Sequence, residues 1–489
     1  MSASRSSKVI SLSLAQGFMT VVTIISSMVL TRYLTKVDYA TYLQTFLAYD
    51  FFVPILLLGL PSAMFYFLPD NKTNKRGLVI DNIVLLLIMG GVFSIFLIFG
   101  GANLLSKRFD NNNLLYTLKW LTFYPLYTFP VMLLGAVLIT QDRVKLNAWY
   151  NVITGVILTI MIIIATISTN SYTAPILVRI FLPLIYFPIA LFLILRYVPG
   201  HWRYPSVSSM LGIMKFSIPL GLATILGTIS NQLSNIIVSV LCAPEDYAVY
   251  ATGAREIPLV GIITSSLSMV IMSDMVKECK NNNKSAALLL FRKASTISAA
   301  FLIPSMVFLM FFAEHFIILL FSEKYVESVL SFRIFLFYLP VRIVFYGSAF
   351  IALGKTKLVL YRSIVDLILT SLLCYVLTLY IGYIGAAIGT VIVSYIWGIP
   401  YNLITLAKNF ECSSLYIIPL SKIGRIFVIS AVSVLLPSLL LFVHMNALML
   451  FLLGGIIFLA IYSFMSYRYI SEVNEFVSCK IMQLKSKLN

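Results

Sequence analysis

Along this chain, long apolar runs alternate with short polar breaks from one end to the other. A helix rises 1.5 Å per residue, so about 20 apolar residues cross a hydrocarbon core about 30 Å thick. The runs and their breakers predict fourteen such helices, near 9–31, 43–68, 78–104, 114–140, 147–168, 174–197, 213–242, 250–276, 287–313, 328–353, 359–381, 384–407, 421–443 and 447–469. The first run, from Lys8 to Thr31, is too long for a signal-peptide core and no small-residue cleavage site follows it, so it reads as the first spanning helix.

A motif occurs twice in this pattern. Asp38-Tyr39-Ala40-Thr41-Tyr42 returns 208 residues later as Asp246-Tyr247-Ala248-Val249-Tyr250, each copy between two apolar runs. Arg143-Val144-Lys145-Leu146 returns 212 residues later as Lys355-Thr356-Lys357-Leu358. Six predicted spans separate the paired sites, and an even number makes the two halves parallel repeats about an axis along the membrane normal. The expected architecture is an all-α membrane protein with about 14 transmembrane helices. Residues 1–198 form an N-lobe of six helices, 199–212 a cytoplasmic linker and 213–407 a C-lobe of six. Residues 408–470 add two helices outside the repeat, and 471–489 form a basic tail that reads as an interfacial helix drawn to anionic lipid.

Composition sharpens this. Mean hydropathy is +0.98, 60% of residues are hydrophobic and 11% are charged, too few to cover a soluble fold of 489 residues. With the N-terminus placed in the cytoplasm, 25 of the 35 basic residues fall on the cytoplasmic side, 5 opposite and 5 within spans. That bias puts both termini inside by the positive-inside rule and favours an even count. The net charge of +17 is mostly this topological signal. Its spread over short separate segments argues against nucleic acid as a partner. Five scattered cysteines without a CxxC give no disulfide framework and no metal site.

Several further segments carry a family resemblance: Leu30-Thr31-Arg32-Tyr33-Leu34 ahead of the first motif copy, the Gly59-Leu60-Pro61 turn, Leu320-Phe321-Ser322-Glu323-Lys324-Tyr325, the Leu353-Gly354-Lys355-Thr356 loop and Gly382-Tyr383-Ile384-Gly385-Ala386-Ala387-Ile388-Gly389. In order and spacing the chain resembles the polysaccharide-export branch of the MOP (multidrug/oligosaccharidyl-lipid/polysaccharide) superfamily, most of all the Wzx-type O-antigen flippases. Two departures are small residues where relatives often carry glycine, Ala40 with Ala248, and Ser322. The resemblance implies a protein of the bacterial inner membrane that moves an undecaprenyl-pyrophosphate-linked oligosaccharide from the cytoplasmic to the periplasmic leaflet by alternating access. It also implies membrane lipids, a polysaccharide polymerase and a chain-length regulator as partners.

Charges inside spans are costly and mark candidate function. Arg255, Arg333, Arg342, Arg179 and Lys119 are the candidates for binding substrate in a central cavity, since guanidinium forks match phosphate and carboxylate oxygens. Arg255, one turn into the eighth span, leads; its bland alternative is an ion pair with Asp246 or Glu256. Asp50, Glu256 and Asp274 are candidates for ion coupling or charge balance. Asp38 and Asp246 read as helix caps or an outer gate, with Arg32 beside them. Asp366, four residues after Arg362, reads as a plain surface pair. Gly385 and Gly389 form a small-xxx-small face for close helix packing.

The alternative in the same superfamily is a multidrug or cation antiporter, which calls for acidic cavity residues; the internal basic set points to an anionic cargo. An enzyme is the third class. Three scattered histidines, no carboxylate cluster and no long loop speak against it. No cofactor is expected: the GKT letters at Gly354 lack the glycine five residues earlier that a phosphate loop needs.

Overall fold

The structure, a computed structural model, describes residues 2–69, 74–255, 257, 260–261, 264, 274–279, 281–344, 346–443, 445–470 and 474. Glu256, most of the predicted eighth span and the basic tail lie outside these residues. The described chain is helical throughout, with no strand among the described residues. Eleven helices are long and apolar enough to cross a membrane, twelve when the bent pair Asn113–Leu121 and Tyr124–Thr140 counts as one span. They coincide with the predicted first six spans and the last six. The predicted seventh is a 35-residue helix, Val207–Leu241. The protein is thus a multi-pass helical membrane protein.

The chain divides into two compact units, 1–248 and 249–489. The first holds α1 (Ser2–Tyr33), α2 (Lys36–Leu57), α3 (Leu60–Phe67), α4 (Lys75–Phe96), α5 (Ala102–Arg108), α6 (Asn113–Leu121), α7 (Tyr124–Val131), α8 (Leu133–Thr140), α9 (Val144–Thr169), α10 (Thr173–Tyr197) and α11 (Val207–Leu241). The division falls later than the sequence repeat because α11 packs on α2, α3 and α4.

The second predicted span is broken where Gly59-Leu60-Pro61 suggested. Leu58 and Gly59 have φ of 47° and 74°, which ends α2, and Pro61 restarts the chain in the first turn of α3. The break lets α11 come close: a Cβ on Gly221 would lie 2.3 Å from the Leu58 carbonyl carbon. Tyr66 and Phe216 stack beside this crossing, with centroids 4.4 Å apart.

The segment before α11 is bound to the start of α4. Asn74 pairs with the backbone of His201, and Arg76 donates to the Leu195 carbonyl at 2.7 Å. Asp81, with no exposed surface, pairs with Arg203 and accepts from the Ser206 amide at 2.9 Å, the residue that precedes α11. A carboxylate without water needs both partners.

The second unit contains the end of α12 (Pro244–Gly253) and then α13 (Lys284–Phe311), α14 (Ala313–Phe321), α15 (Ser328–Leu336), α16 (Tyr338–Arg342), α17 (Tyr346–Ala352), α18 (Thr356–Ile381), α19 (Tyr383–Val393), α20 (Ile399–Phe410), α21 (Leu420–Ser438) and α22 (Ala447–Tyr469). Both motif copies are buried alike: Tyr39 and Ala40 are 2% and 0% exposed, Tyr247 and Ala248 3% and 0%. The small-residue face packs as expected, since a Cβ on Gly385 would lie 2.3 Å from the Leu377 backbone of α18. At the other end of α20, Glu411 bonds Lys284 of α13 at 2.5 Å, and that bond and charge hold its carboxyl below the usual value.

Ser322 is not the neutral replacement for glycine that its size suggests. Its backbone sits at φ 80°, ψ 167°, a region open essentially to glycine alone. Its hydroxyl is buried without a hydrogen-bond partner. Ser322→Gly is therefore expected to stabilise the protein by about 1–3 kcal/mol, read as a higher Tm in detergent; an unchanged or lower Tm refutes the strain.

Arg203→Ala leaves the Asp81 carboxylate buried without a counter-charge. The expected cost is about 2–3 kcal/mol, below the 3–5 of a fully enclosed pair because Arg203 is 35% exposed. Adding Asp81→Asn to Arg203→Ala should restore part of that stability in a double-mutant cycle; strict additivity of the two losses would mean that the pair does not hold the segment.

Candidate functional site

In the first unit the site grows from two stripes on α2. Tyr42, Phe46 and Asp50 stand four residues apart and line one face. Thr41, Gln44 and Thr45 line another, and all three are fully buried. The polar stripe is satisfied side chain to side chain. Asn111 donates to Thr41 at 2.9 Å and to Gln44 at 2.7 Å, Gln44 to Ser239 of α11 at 3.0 Å, and Thr45 meets Thr117 of α6 at 2.7 Å. Away from water such a network is stable only when complete.

The other stripe receives Arg179 of α10. Its guanidinium lies 3.6 Å from the Phe46 ring centroid and donates to the Tyr42 hydroxyl at 3.0 Å. Asp50 lies within its electrostatic reach but forms no ion pair among the described residues. Tyr124 lies there too, at the start of α7, where the predicted fourth span bends by 52°. The Tyr124 ring packs on Tyr49 at 4.8 Å and Tyr127 at 5.6 Å. Tyr49 bonds Thr128 at 2.8 Å, and Tyr127 donates to the carbonyl of Ile180, next to Arg179. The sequence pointed to Arg179 and Asp50 but missed the aromatic cage; its available signal was the four-residue spacing of Tyr42, Phe46 and Asp50.

The remaining candidates of this unit stand elsewhere. Lys119 is exposed in the last turn of α6. Arg32 is exposed and bonds the Met28 carbonyl of its own helix at 2.8 Å. Asp38 lies in the first turn of α2, but the cap is Thr35, whose hydroxyl accepts from the Asp38 amide at 3.1 Å. Asp246 likewise lies in the first turn of α12.

In the second unit, Arg255 lines a small cleft with Ile257, Phe332, Leu336 and Tyr338. Arg342 lies over the Tyr338 ring, 5.1 Å from its centroid. Two of the three predicted arginines thus border one tyrosine. The third, Arg333, turns instead to the Met310 carbonyl of α13 at 3.2 Å. Asp274 forms an exposed i,i+3 pair with Lys277 at 3.3 Å, as an interfacial residue does. Arg362 and Asp366 are 3.7 Å apart but only 26% and 29% exposed, with Gly398 close against the guanidinium, so theirs is a packed pair rather than a surface one.

The sequence also missed a groove. Between α13 and α22 lies a cavity of about 860 Å³ lined by apolar and aromatic side chains, among them Phe301, Pro304, Phe308, Phe451, Leu459 and Tyr462. Gly455 lines it beside Phe308, and Tyr462 ties α22 to α13 through the Ala300 carbonyl at 2.7 Å. The pair Gly454-Gly455 within an otherwise bulky apolar run was the only local hint.

The comparisons agree with this architecture. No curated protein sequence matches the chain. Its fold is similar to that of the lipid II flippase MurJ in its inward closed conformation, with 20% identity, 94% of this chain and 99% of that one covered, and a TM-score of 0.73. A MOP superfamily transporter from Pyrococcus furiosus aligns with 15% identity over 86% of this chain and 95% of its own, at a TM-score of 0.56. An inward-facing multidrug resistance MATE family transporter of the same superfamily aligns with 14% identity over 85% and 98%, also at 0.56. Residues 29–330 match the family model described as polysaccharide biosynthesis protein. That match covers more than half of the sequence, and the chain belongs to the polysaccharide biosynthesis protein family, with a fold similar to those of MOP superfamily transporters.

Proposed function

We propose that the protein is a flippase of Wzx type, which carries an undecaprenyl-pyrophosphate-linked oligosaccharide from the cytoplasmic to the periplasmic leaflet of the bacterial inner membrane by alternating access. Family membership supports a role in polysaccharide biosynthesis, and the fold is similar to that of the lipid II flippase MurJ. The observation that carries the lipid-linked reading is the groove of the second unit. At about 860 Å³ it lies within the roughly 300–1,000 Å³ of ordinary ligand pockets, and its walls are almost wholly apolar. A polyprenyl chain fits that chemistry. α13, which forms one wall, continues to Met310, where Arg333 closes the helix carbonyl.

Arg255 and Arg342, both beside Tyr338, supply fixed positive charge in the same unit and suit a pyrophosphate. Arg333 is proposed as a structural residue and Lys119 as peripheral. Asp38, Asp246 and Arg32 serve the helix ends. The N-lobe and C-lobe of the sequence repeat are the bodies that would move, with both termini in the cytoplasm.

The test is transfer of labelled undecaprenyl-pyrophosphate oligosaccharide across reconstituted liposomes. Arg342→Gln and Arg255→Ala are each expected to slow transfer about 10–100-fold, as loss of about 1.5–3 kcal/mol of charge-assisted bonding dictates. Gly455→Trp, which fills the groove, should slow it while the protein still elutes as a folded species. No transfer of any anionic glycolipid, combined with gradient-driven uptake of cationic drugs, would move the assignment to a multidrug antiporter.

A further inference from the structure

We infer that the first unit carries a glycan-reading subsite, built from Arg179, Asp50, Tyr42 and Tyr124, that takes a neutral, hydroxyl-rich sugar ring and not the pyrophosphate. The inference rests on the flippase reading for its substrate, but the observations behind it all belong to the first unit and use neither the groove nor the arginines of the second.

Arg179 is held from behind. Phe46 covers one face of the guanidinium at 3.6 Å, and Tyr42 accepts one of its bonds. A guanidinium has five N–H donors, and no other hydrogen bond from it exists among the described residues. Donors therefore remain, in a fixed orientation. Asp50 offers the complement. It stands one turn beyond Phe46 on the same stripe of α2, half-buried, and its carboxylate has no hydrogen bond or ion pair among the described residues. It is acceptor only while ionised.

Charge decides what such a place accepts. The guanidinium and the carboxylate sum to zero. A phosphate or a uronate gains Arg179 and meets Asp50; a cationic drug gains Asp50 and meets Arg179. A hydroxyl group both donates and accepts, so a sugar ring satisfies both side chains with no net charge to bury. Tyr124 adds a half-buried ring whose hydroxyl has no hydrogen bond among the described residues. The C–H face of a sugar carries partial positive charge and packs on the negative face of an aromatic ring. The cage is also rigid, because the Tyr49–Thr128 bond and the Tyr127 bond to the Ile180 carbonyl lock α2, α7 and α10 together.

Binding to the full-length protein in detergent, followed by native mass spectrometry, separates this inference from the transport assay. The probes are undecaprenyl pyrophosphate without sugar, the same lipid with a neutral disaccharide, and the same lipid with a uronic-acid disaccharide. The wild type is expected to prefer the neutral glycolipid to the bare lipid at least tenfold. Asp50→Asn, Arg179→Gln and Tyr124→Leu should each remove most of that preference and leave affinity for the bare lipid unchanged. Asp50→Asn should also raise relative affinity for the uronic-acid lipid. Tyr42→Phe, which keeps the ring but frees the guanidinium, should fall between wild type and Arg179→Gln. Loss of bare-lipid affinity in the Arg179 and Asp50 variants would place the pyrophosphate here and overturn the inference, as would a glycan preference that survives all three. A wild type that shows the preference but moves no glycolipid across liposomes would overturn the flippase reading and leave the subsite standing.

Discussion

A guanidinium inside an apolar helix must find partners within the protein, because lipid offers none. Arg179 meets that constraint without a direct salt bridge: an aromatic face and a phenol hold the guanidinium, and the Asp50 carboxylate lies within electrostatic reach. Much of the first unit follows from that choice. α2 has to present Tyr42 and Phe46 toward α10, and this turns its Thr41, Gln44 and Thr45 stripe toward α6, Asn111 and α11, where each side chain finds another polar one. The bend between α6 and α7 brings Tyr124 and Tyr127 back onto the cage. Two polar systems are thus buried on one helix, one saturated and one left open.

The second unit solves its problem in another way. Its arginines are spread along α15 and α16 and the chain after α12, and each has a different anchor. Arg333 is spent on a helix carbonyl, whereas Arg342 and Arg255 border the Tyr338 ring. Its aromatic residues concentrate elsewhere. Phe308, Phe312, Phe451, Phe458 and Tyr462 interlock along α13 and α22. The paired glycines of α22 leave space beside Phe308 and Phe312, and the result is a groove instead of a sealed contact.

How far the sequence foretold this depends on the range of the interaction. Apolar length located twelve spans, and Gly59-Leu60-Pro61 located the break in α2, because both are local consequences of backbone chemistry. The Gly385–Gly389 face was legible for the same reason. Asp38 misled at a distance of three residues: an acidic side chain in a first turn looks like a cap, but Thr35, three residues earlier, holds the cap position. Arg179 and Tyr42 are 137 residues apart, and no local rule says which helix an intramembrane arginine will meet. Ser322 shows the opposite failure. Its size resembles glycine, but size was not what the position required; the backbone angle was.

The contrast between the two units bears on how a carrier for a two-ended cargo can be built. A lipid-linked glycan has one end that is anionic and the same for every glycan, and another that is neutral or nearly so and different in each. Arginines hold the first well and read nothing, since a pyrophosphate offers them no variety. A balanced Arg–Asp pair does the reverse: it gains little from charge, and any loss of hydroxyl complementarity leaves a buried donor or acceptor unpaired, at a cost of about 1–3 kcal/mol each. Selectivity therefore belongs where the charges cancel. On that logic Arg179, held by the Phe46 ring and the Tyr42 hydroxyl, would contribute less to the strength of binding than to the choice of what is bound.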